Sequence, residues 1–292
     1  MIDKSSMLED SFARKHNYLR ISLTERCNLR CSYCMPIDGV QITPSSKLMN
    51  ANEIYEISKI FVSHGVDKIR LTGGEPLVRN DIFSTFFVLL CFLFIINGAN
   101  LIDGFNGLLS INLIIINIIL TYINISNTNN EFSIILIAQI ILLLSFLLFN
   151  FPNAKIFLGD SGAYTMGALV GLNTIITNNL NPEISSFFFC TLLFYLFFEV
   201  FFSFIRKLIQ KKSPIHPDDK HLHMLSFYKI SSIYGKNKGN YLNSIIINFF
   251  YLILIIPGLY LMFDPQLSRY WFFILLLIYL IIYSRLYRFT KN

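Results

Sequence analysis

The chain has 292 residues, 54% of them hydrophobic, with a mean hydropathy of +0.54 and a formal net charge of +6. Charged residues make up only 14% and no basic patch is interleaved with aromatics, which excludes an ordinary soluble globular domain and argues against a nucleic-acid partner. Residues 1–82 hold 11 basic and 10 acidic residues against 13 and 8 in all the rest, so the composition divides near position 82.

The opening stretch, "MIDKSSMLEDSFARKHN", is polar and has no apolar core, so a secretory signal is not expected. "NYLRISL" (17–23) reads as a strand that runs into a cysteine loop, "CNLRCSYC", with Cys27, Cys31 and Cys34. "NANEIYEISKIFVSHG" reads as a helix with Ile54, Ile57 and Phe61 on one face, Asn50 or Asn52 as its cap and Gly65 as its stop. "DKIRL" (67–71) is a second strand, followed by "TGGEP". One βαβ unit results, with both loops at the C-terminal edge of its sheet. Three crowded cysteines without a signal peptide point to a metal or cluster site rather than disulfides. Three thiolates at C-x3-C-x2-C can hold three corners of a 4Fe-4S cube and leave one iron open.

From position 82 onward, apolar runs of spanning or near-spanning length fall at about 82–97, 108–125, 132–150, 163–178, 186–205, 242–263 and 270–287, against a need of about 20 residues per helix. That predicts six spans and a shorter seventh, the first. Cys91 and Cys190 lie inside such runs and read as small apolar residues. Three polar segments separate the runs: "NGANLIDGFNGLL" (97–109), "NFPNAKIFLGDSGAYTMG" (150–167) and a long loop, 206–241, containing "SPIHPDDKHLHML". Alternate threading puts that loop, Lys155 and the C-terminal tail on one face, which collects 12 of the 13 basic residues after position 82. By the positive-inside rule this face is cytoplasmic. Asp103, Asp160, His221 and His223 then meet at one membrane boundary, where carboxylates and imidazoles suit Mg2+-assisted phosphate chemistry.

Two resemblances follow from these motifs. Cys27-x3-Cys31-x-Tyr33-Cys34 with Gly73-Gly74-Glu75-Pro76 resembles the radical S-adenosylmethionine superfamily. Within it, "DSFARKHNYLRISLTERCNLRCSYCMP" and "KIRLTGGEPLVRNDI" are similar to the GTP 3′,8-cyclase of molybdenum-cofactor biosynthesis. The resemblance implies a 4Fe-4S cluster on Cys27, Cys31 and Cys34, and S-adenosylmethionine contacted by Tyr33 and by Gly73, Gly74, Glu75 and Pro76. It stops at about Ile82, with no further barrel strands and no C-terminal cluster cysteines after it.

The second part resembles the polyprenyl-phosphate N-acetylhexosamine-1-phosphate transferases. "NGANLIDGFNGL" matches their N-x-x-N-x-x-D-G-x-D/N-G-L segment, implying that Asn100, Asp103 and Asn106 contact nucleotide-sugar or metal. "KIFLGDSGAYTMG" matches F-x-G-D-x-G, implying Asp160 as a Mg2+ ligand. "HPDDKHLHML" resembles P-D-x-x-H-x-H-H, implying Asp218, His221 and His223 near the diphosphate. Family precedent implies transfer from a UDP-N-acetylhexosamine to undecaprenyl phosphate, in a multi-pass protein of the bacterial inner membrane with catalytic loops and C-terminus cytoplasmic. Met224 departs from the last histidine of the fullest motif, Asp219 stands where arginine is common, and Asn106 lacks the charge of aspartate. The family's early Asp-Asp pair and first spans are missing, so the resemblance covers the C-terminal two-thirds of a transferase.

The expected fold is therefore a mainly α-helical polytopic membrane protein, 83–292, preceded by a small α/β fragment of a radical-S-adenosylmethionine barrel, 1–82. Three readings stay open at this point: a sugar-phosphate transferase, a radical cyclase-like enzyme, and a non-catalytic chimeric or scaffold membrane protein. A homo-oligomer or a partner chain is the expected source of the missing helices. If residues 82–97 span, the cysteine motif faces the extracytoplasmic side; if they do not, it stays in the cytosol.

Overall fold

The computed structural model describes residues 11–12, 14–24, 44, 47–73, 80–213, 216 and 218–290. The chain forms two compact units, Met1–Leu89 and Leu90–Asn292, whereas the composition divides near 82. The boundary lies inside one continuous helix.

In the first unit, β1 (Tyr18–Ser22) pairs in parallel with β2 (Lys68–Thr72), from Tyr18 opposite Lys68 to Ser22 opposite Thr72. Helix α1 (Ala51–Ser63) links them. Its start is fixed by a capping box: the Asn50 side chain accepts from the Glu53 N–H, and the Glu53 carboxylate accepts from the Asn50 N–H. It ends at His64, and Gly65 then takes φ +91°, the left-handed step that glycine makes without steric cost. The two strands are parallel, so the segments that begin at Thr24 and Gly73 leave the same edge. Gly73 is required there: its φ is +140°, and a Cβ would meet the Thr24 carbonyl oxygen at 2.4 Å. The unit buries little. Ile21, Leu23 and Val66 are its buried apolar residues among those described, and α1 buries none.

The second unit is helical throughout. Its elements are the end of α2 (Asn80–Ile102), then α3 (Leu108–Ser126), α4 (Asn130–Asn150), α5 (Gly159–Leu180), α6 (Ser186–Leu192), α7 (Phe194–Ile209), α8 (Leu222–Tyr234), α9 (Lys236–Leu261) and α10 (Pro265–Phe289). Four helices, α3, α4, α9 and α10, are long and apolar enough to cross a membrane. The expected run at 186–205 is broken into α6 and α7, bent by 75°, and the two make a fifth crossing only if counted together. Within α2, which has 23 residues, the described stretch Phe86–Ile102 is apolar.

The expected run at 163–178 is helix α5, which fails on composition because one side of it is polar. Asn173, Thr174 and Thr177 are buried on it. Asn173 donates to Asn117 on α3 (3.2 Å) and to Gln139 on α4 (2.7 Å). Asn124 on α3 donates to Thr177 (2.9 Å), and Asn127 just beyond α3 donates to Asn181 just beyond α5 (2.6 Å). With Asp103 bonded to Gly159 at the other end, α5 runs beside α3 along its length. At about 1.5 Å per residue, its 22 residues extend about 33 Å, the thickness of a bilayer core.

Small residues let α2 sit close to its neighbours. A Cβ on Gly98 would run into the Leu196 carbonyl of α7, one on Gly167 would meet Ala99, and one on Gly171 would meet Phe92. The long loop expected at 206–241 is a shorter one: α8 occupies 222–234 and α9 starts at Lys236. Helix α8 buries His223 and Leu225, two residues apart, a spacing that carries no helical signal in the sequence.

Candidate active site

Three segments far apart in the chain meet at one end of the helical unit. Asp103, just past α2, accepts the Gly159 N–H at the start of α5 (3.0 Å). Asn106 donates to the Pro152 carbonyl (2.7 Å), and its own N–H goes to the Asn240 side chain on α9 (2.8 Å). Gly107, at φ +77°, donates to the Asn150 side chain (2.7 Å), and Asn150 in turn donates to the Ile156 carbonyl (2.7 Å). Phe105 stacks edge-on against His223 with ring centroids 5.6 Å apart. The loop 103–107 is thus the hub that touches the 150–159 segment, α8 and α9.

Asp103 and Asp160 share one helix end in different settings. Asp160 is exposed in the first turn of α5, where the helix dipole favours an anion. Asp103 is buried, and desolvation pushes its carboxyl up to about 6 although the Gly159 and Leu158 N–H groups pull the other way. Asn100, one turn before Asp103, donates to the Tyr164 hydroxyl on α5 (3.1 Å). Asn100, Asp103 and Asp160 therefore lie along the α2–α5 contact, while the Asn106 side chain holds a loop closed.

The histidines form a second cluster. His221 and His223 stack with ring centroids 5.5 Å apart and planes 6° from parallel. Asp218 does not stand free: both its oxygens meet the buried Arg206 guanidinium, at 2.9 and 3.0 Å, and His221 Nε2 lies 3.5 Å from Oδ1. Burial alone would raise the Asp218 carboxyl, yet the Arg206 guanidinium holds it below the usual carboxylate range. His223 is 2% exposed, and that burial lowers its imidazole to about 4, against the opposing pull of Glu199.

Glu199 is the residue the motifs did not supply. It lies 1% exposed in α7, with Oε1 3.4 Å from His221 Nδ1 and 3.8 Å from His223 Nδ1. A signal was present: it is the sole charge in the apolar run 186–205, and an ionisable residue inside such a run marks function by default.

Among the described residues no group of three or more His, Cys, Asp or Glu is arranged to hold a metal. Asp103 and Asp160 still fit Mg2+, which usually takes one or two carboxylates and completes its shell with water and substrate phosphates. Of the predicted cluster residues, Gly73 is described at the edge of β2. Cys27, Cys31, Tyr33, Cys34, Gly74, Glu75 and Pro76 lie outside the described residues.

Comparison with known proteins returns the same two families. Residues 38–178, just under half of the chain, match the family described as Glycosyl transferase family 4. The match takes in Asn100, Asp103, Asn106 and Asp160 and ends before the histidine segment. A mitochondrial GTP 3′,8-cyclase of Arabidopsis thaliana is 64% identical over 78 residues, 27% of this chain and 20% of that protein. Molybdenum cofactor biosynthesis protein 1 of Bos taurus is 63% identical over 78 residues, 27% of this chain and 12% of that protein. The GTP 3′,8-cyclase of Listeria welshimeri is 50% identical over 76 residues, 26% of this chain and 23% of that protein. The chain thus spans less than a quarter of the length of these curated relatives. No solved structure matches it. The chain resembles a chimera of two families, a short stretch similar to GTP 3′,8-cyclases joined to a helical body similar to glycosyl transferase family 4.

Proposed function

We propose that the helical unit is a membrane glycosyl-1-phosphate transferase that moves an N-acetylhexosamine 1-phosphate from its UDP derivative to undecaprenyl phosphate. The observation that carries this reading is the Asp103–Gly159 hydrogen bond, which joins the "NLIDGFNG" and "LGDSG" segments at one helix end inside the family match. In the reaction the phosphoanhydride bond of the UDP-sugar breaks, a new one forms to the lipid phosphate oxygen, and UMP leaves. Asp103 and Asp160 would hold Mg2+, which supplies positive charge to the diphosphate oxygens. Asn100 orients the site through Tyr164, and the Asp218–Arg206 pair fixes the segment that bears His221 and His223. Membranes containing undecaprenyl phosphate and the intact protein are expected to release UMP from a UDP-N-acetylhexosamine, with Asp160→Asn lowering the rate at least about 100-fold. Wild-type membranes that release no UMP above background would remove the proposal.

A second reading is favoured by the high identity of the N-terminal stretch to the cyclases. In it, Cys27, Cys31 and Cys34 hold a 4Fe-4S cluster, and S-adenosylmethionine lies against Tyr33 and the Gly73–Pro76 loop. Anaerobic reconstitution of the whole chain then yields cluster absorption and, on reduction, 5′-deoxyadenosine. Iron bound without that product leaves a cluster-binding scaffold; no iron bound removes the reading.

A further inference from the structure

Helix α8 begins at Leu222 with His221 as its cap residue, and the His221 side chain makes no capping bond. The first N–H groups of a helix need acceptors from elsewhere. The acceptor comes from another helix: Glu199 Oε1 on α7 takes the Leu222 N–H at 2.7 Å. The Tyr279 hydroxyl of α10 donates to the other oxygen, Oε2, at 2.8 Å. One buried carboxylate therefore fastens the His221–Leu222–His223 turn to α7 and is itself held from α10.

The two imidazoles complete the arrangement. Nδ1 of each faces the same Oε1, from 3.4 Å in His221 and 3.8 Å in His223, and neither Nδ1 makes a hydrogen bond, so the carboxylate acts on both through its charge. A buried carboxylate is costly unless donors surround it, and an imidazole facing a carboxylate through one nitrogen carries its proton there, leaving the lone pair on the other.

We propose that Glu199 is a positioning residue, which caps α8 from α7 and holds His223 as its Nδ1–H tautomer with Nε2 as the free, proton-accepting nitrogen. A carboxylate placed in this way orients an imidazole without touching substrate. The proposal rests on the transferase reading for its use, while the tautomer itself does not. Burial keeps His223 uncharged near neutral pH, as a tautomeric role requires.

The test is a 15N spectrum of histidine-labelled full-length protein in detergent, with the His223 resonance assigned by its loss in His223→Gln. The expected wild-type signal is that of a neutral Nδ1–H imidazole, and Glu199→Gln shifts it toward the other tautomer, while Glu199→Asp retains it. In the transfer assay Glu199→Gln is expected to lower kcat at least about tenfold with KM for the UDP-sugar within about twofold, and Glu199→Asp to recover part of the loss. A wild-type Nε2–H signal, or one unchanged in Glu199→Gln, overturns the proposal. Should Glu199→Gln fail to fold, the wild-type spectrum and Tyr279→Phe, which frees Oε2 alone and is expected to leave the Nδ1–H signal in place, decide the matter; loss of that signal in Tyr279→Phe counts against it. Absence of UMP release from the wild type would sink the transferase reading and leave the tautomer result standing.

Discussion

Two buried titratable residues on neighbouring segments are displaced in opposite directions, and their consequences for stability oppose each other. Asp103 has its carboxyl raised to about 6, so the folded state holds its proton better than the unfolded chain does. Its contribution is fully present below the ordinary carboxyl value, is lost as pH rises through about 6, and leaves a buried charge at pH 7. His223, lowered to about 4, behaves in reverse: its contribution is present above the ordinary imidazole value and is lost as pH falls toward about 4. Asp103→Asn keeps an acceptor for the Gly159 N–H and removes the charge, so at pH 7 it is expected to stabilise the protein by about 1–2 kcal/mol while abolishing transfer. His223→Gln is expected to flatten the loss of stability between about pH 6.5 and 4. Thermal unfolding of both variants and the wild type across pH 4–8 checks this; an Asp103→Asn curve parallel to the wild type at every pH would mean that the carboxylate is solvated.

At the scale of elements, what was legible in the sequence is what local chemistry decides. Asn50 with Glu53 three residues on is a capping box in letters and in space, and "NYLRISL" and "DKIRL" are strands to within a residue at each end. The long apolar helices α3, α4, α9 and α10 follow from composition alone. Three features did not. The break at Leu193 between α6 and α7 has no proline or glycine to announce it; on its two sides the Tyr251 hydroxyl of α9 donates to the Leu192 carbonyl and Gly98 lets α2 reach the Leu196 backbone. Helix α5 reads as an apolar run only if its asparagines and threonines are overlooked, and their role as a polar seam to α3 depends on a partner about 50 residues away in the chain. Glu199 carries no motif, and its meaning appears only when α7, α8 and α10 are brought together. Asp103 and Asp160 were legible as chemistry, but not that one would be buried and the other open.

For the whole molecule, the boundary between the compact units falls within α2, Asn80–Ile102, whereas the family match begins at residue 38, inside the first unit. Within the helical unit, the two ends are chemically unlike. One end gathers the 103–107 loop, the 150–159 segment, α8 and the last two turns of α10, where Tyr283 donates to the Lys220 carbonyl and Lys229 lies over Phe289. The other end gathers Asn127, Asn129, Asn181 and Glu183 in one amide–carboxylate cluster, in which Asn127 donates both to Asn181 (2.6 Å) and to Glu183 (2.9 Å). Basic residues crowd the first end, and the proposed transfer from a UDP-sugar requires that end to face the cytoplasm, in keeping with the bias of lysine and arginine toward that side. In a variant whose five cysteines are replaced by alanine, a cysteine at Ser213 is then expected to react with a membrane-impermeant maleimide only after the cells are opened, and a cysteine at Asn130 to react in intact cells. Both positions are exposed, so the contrast reports sidedness rather than burial. The reverse pattern would place Asp103 and the histidines outside the cell, where no UDP-sugar is supplied, and the transferase reading would fall with it.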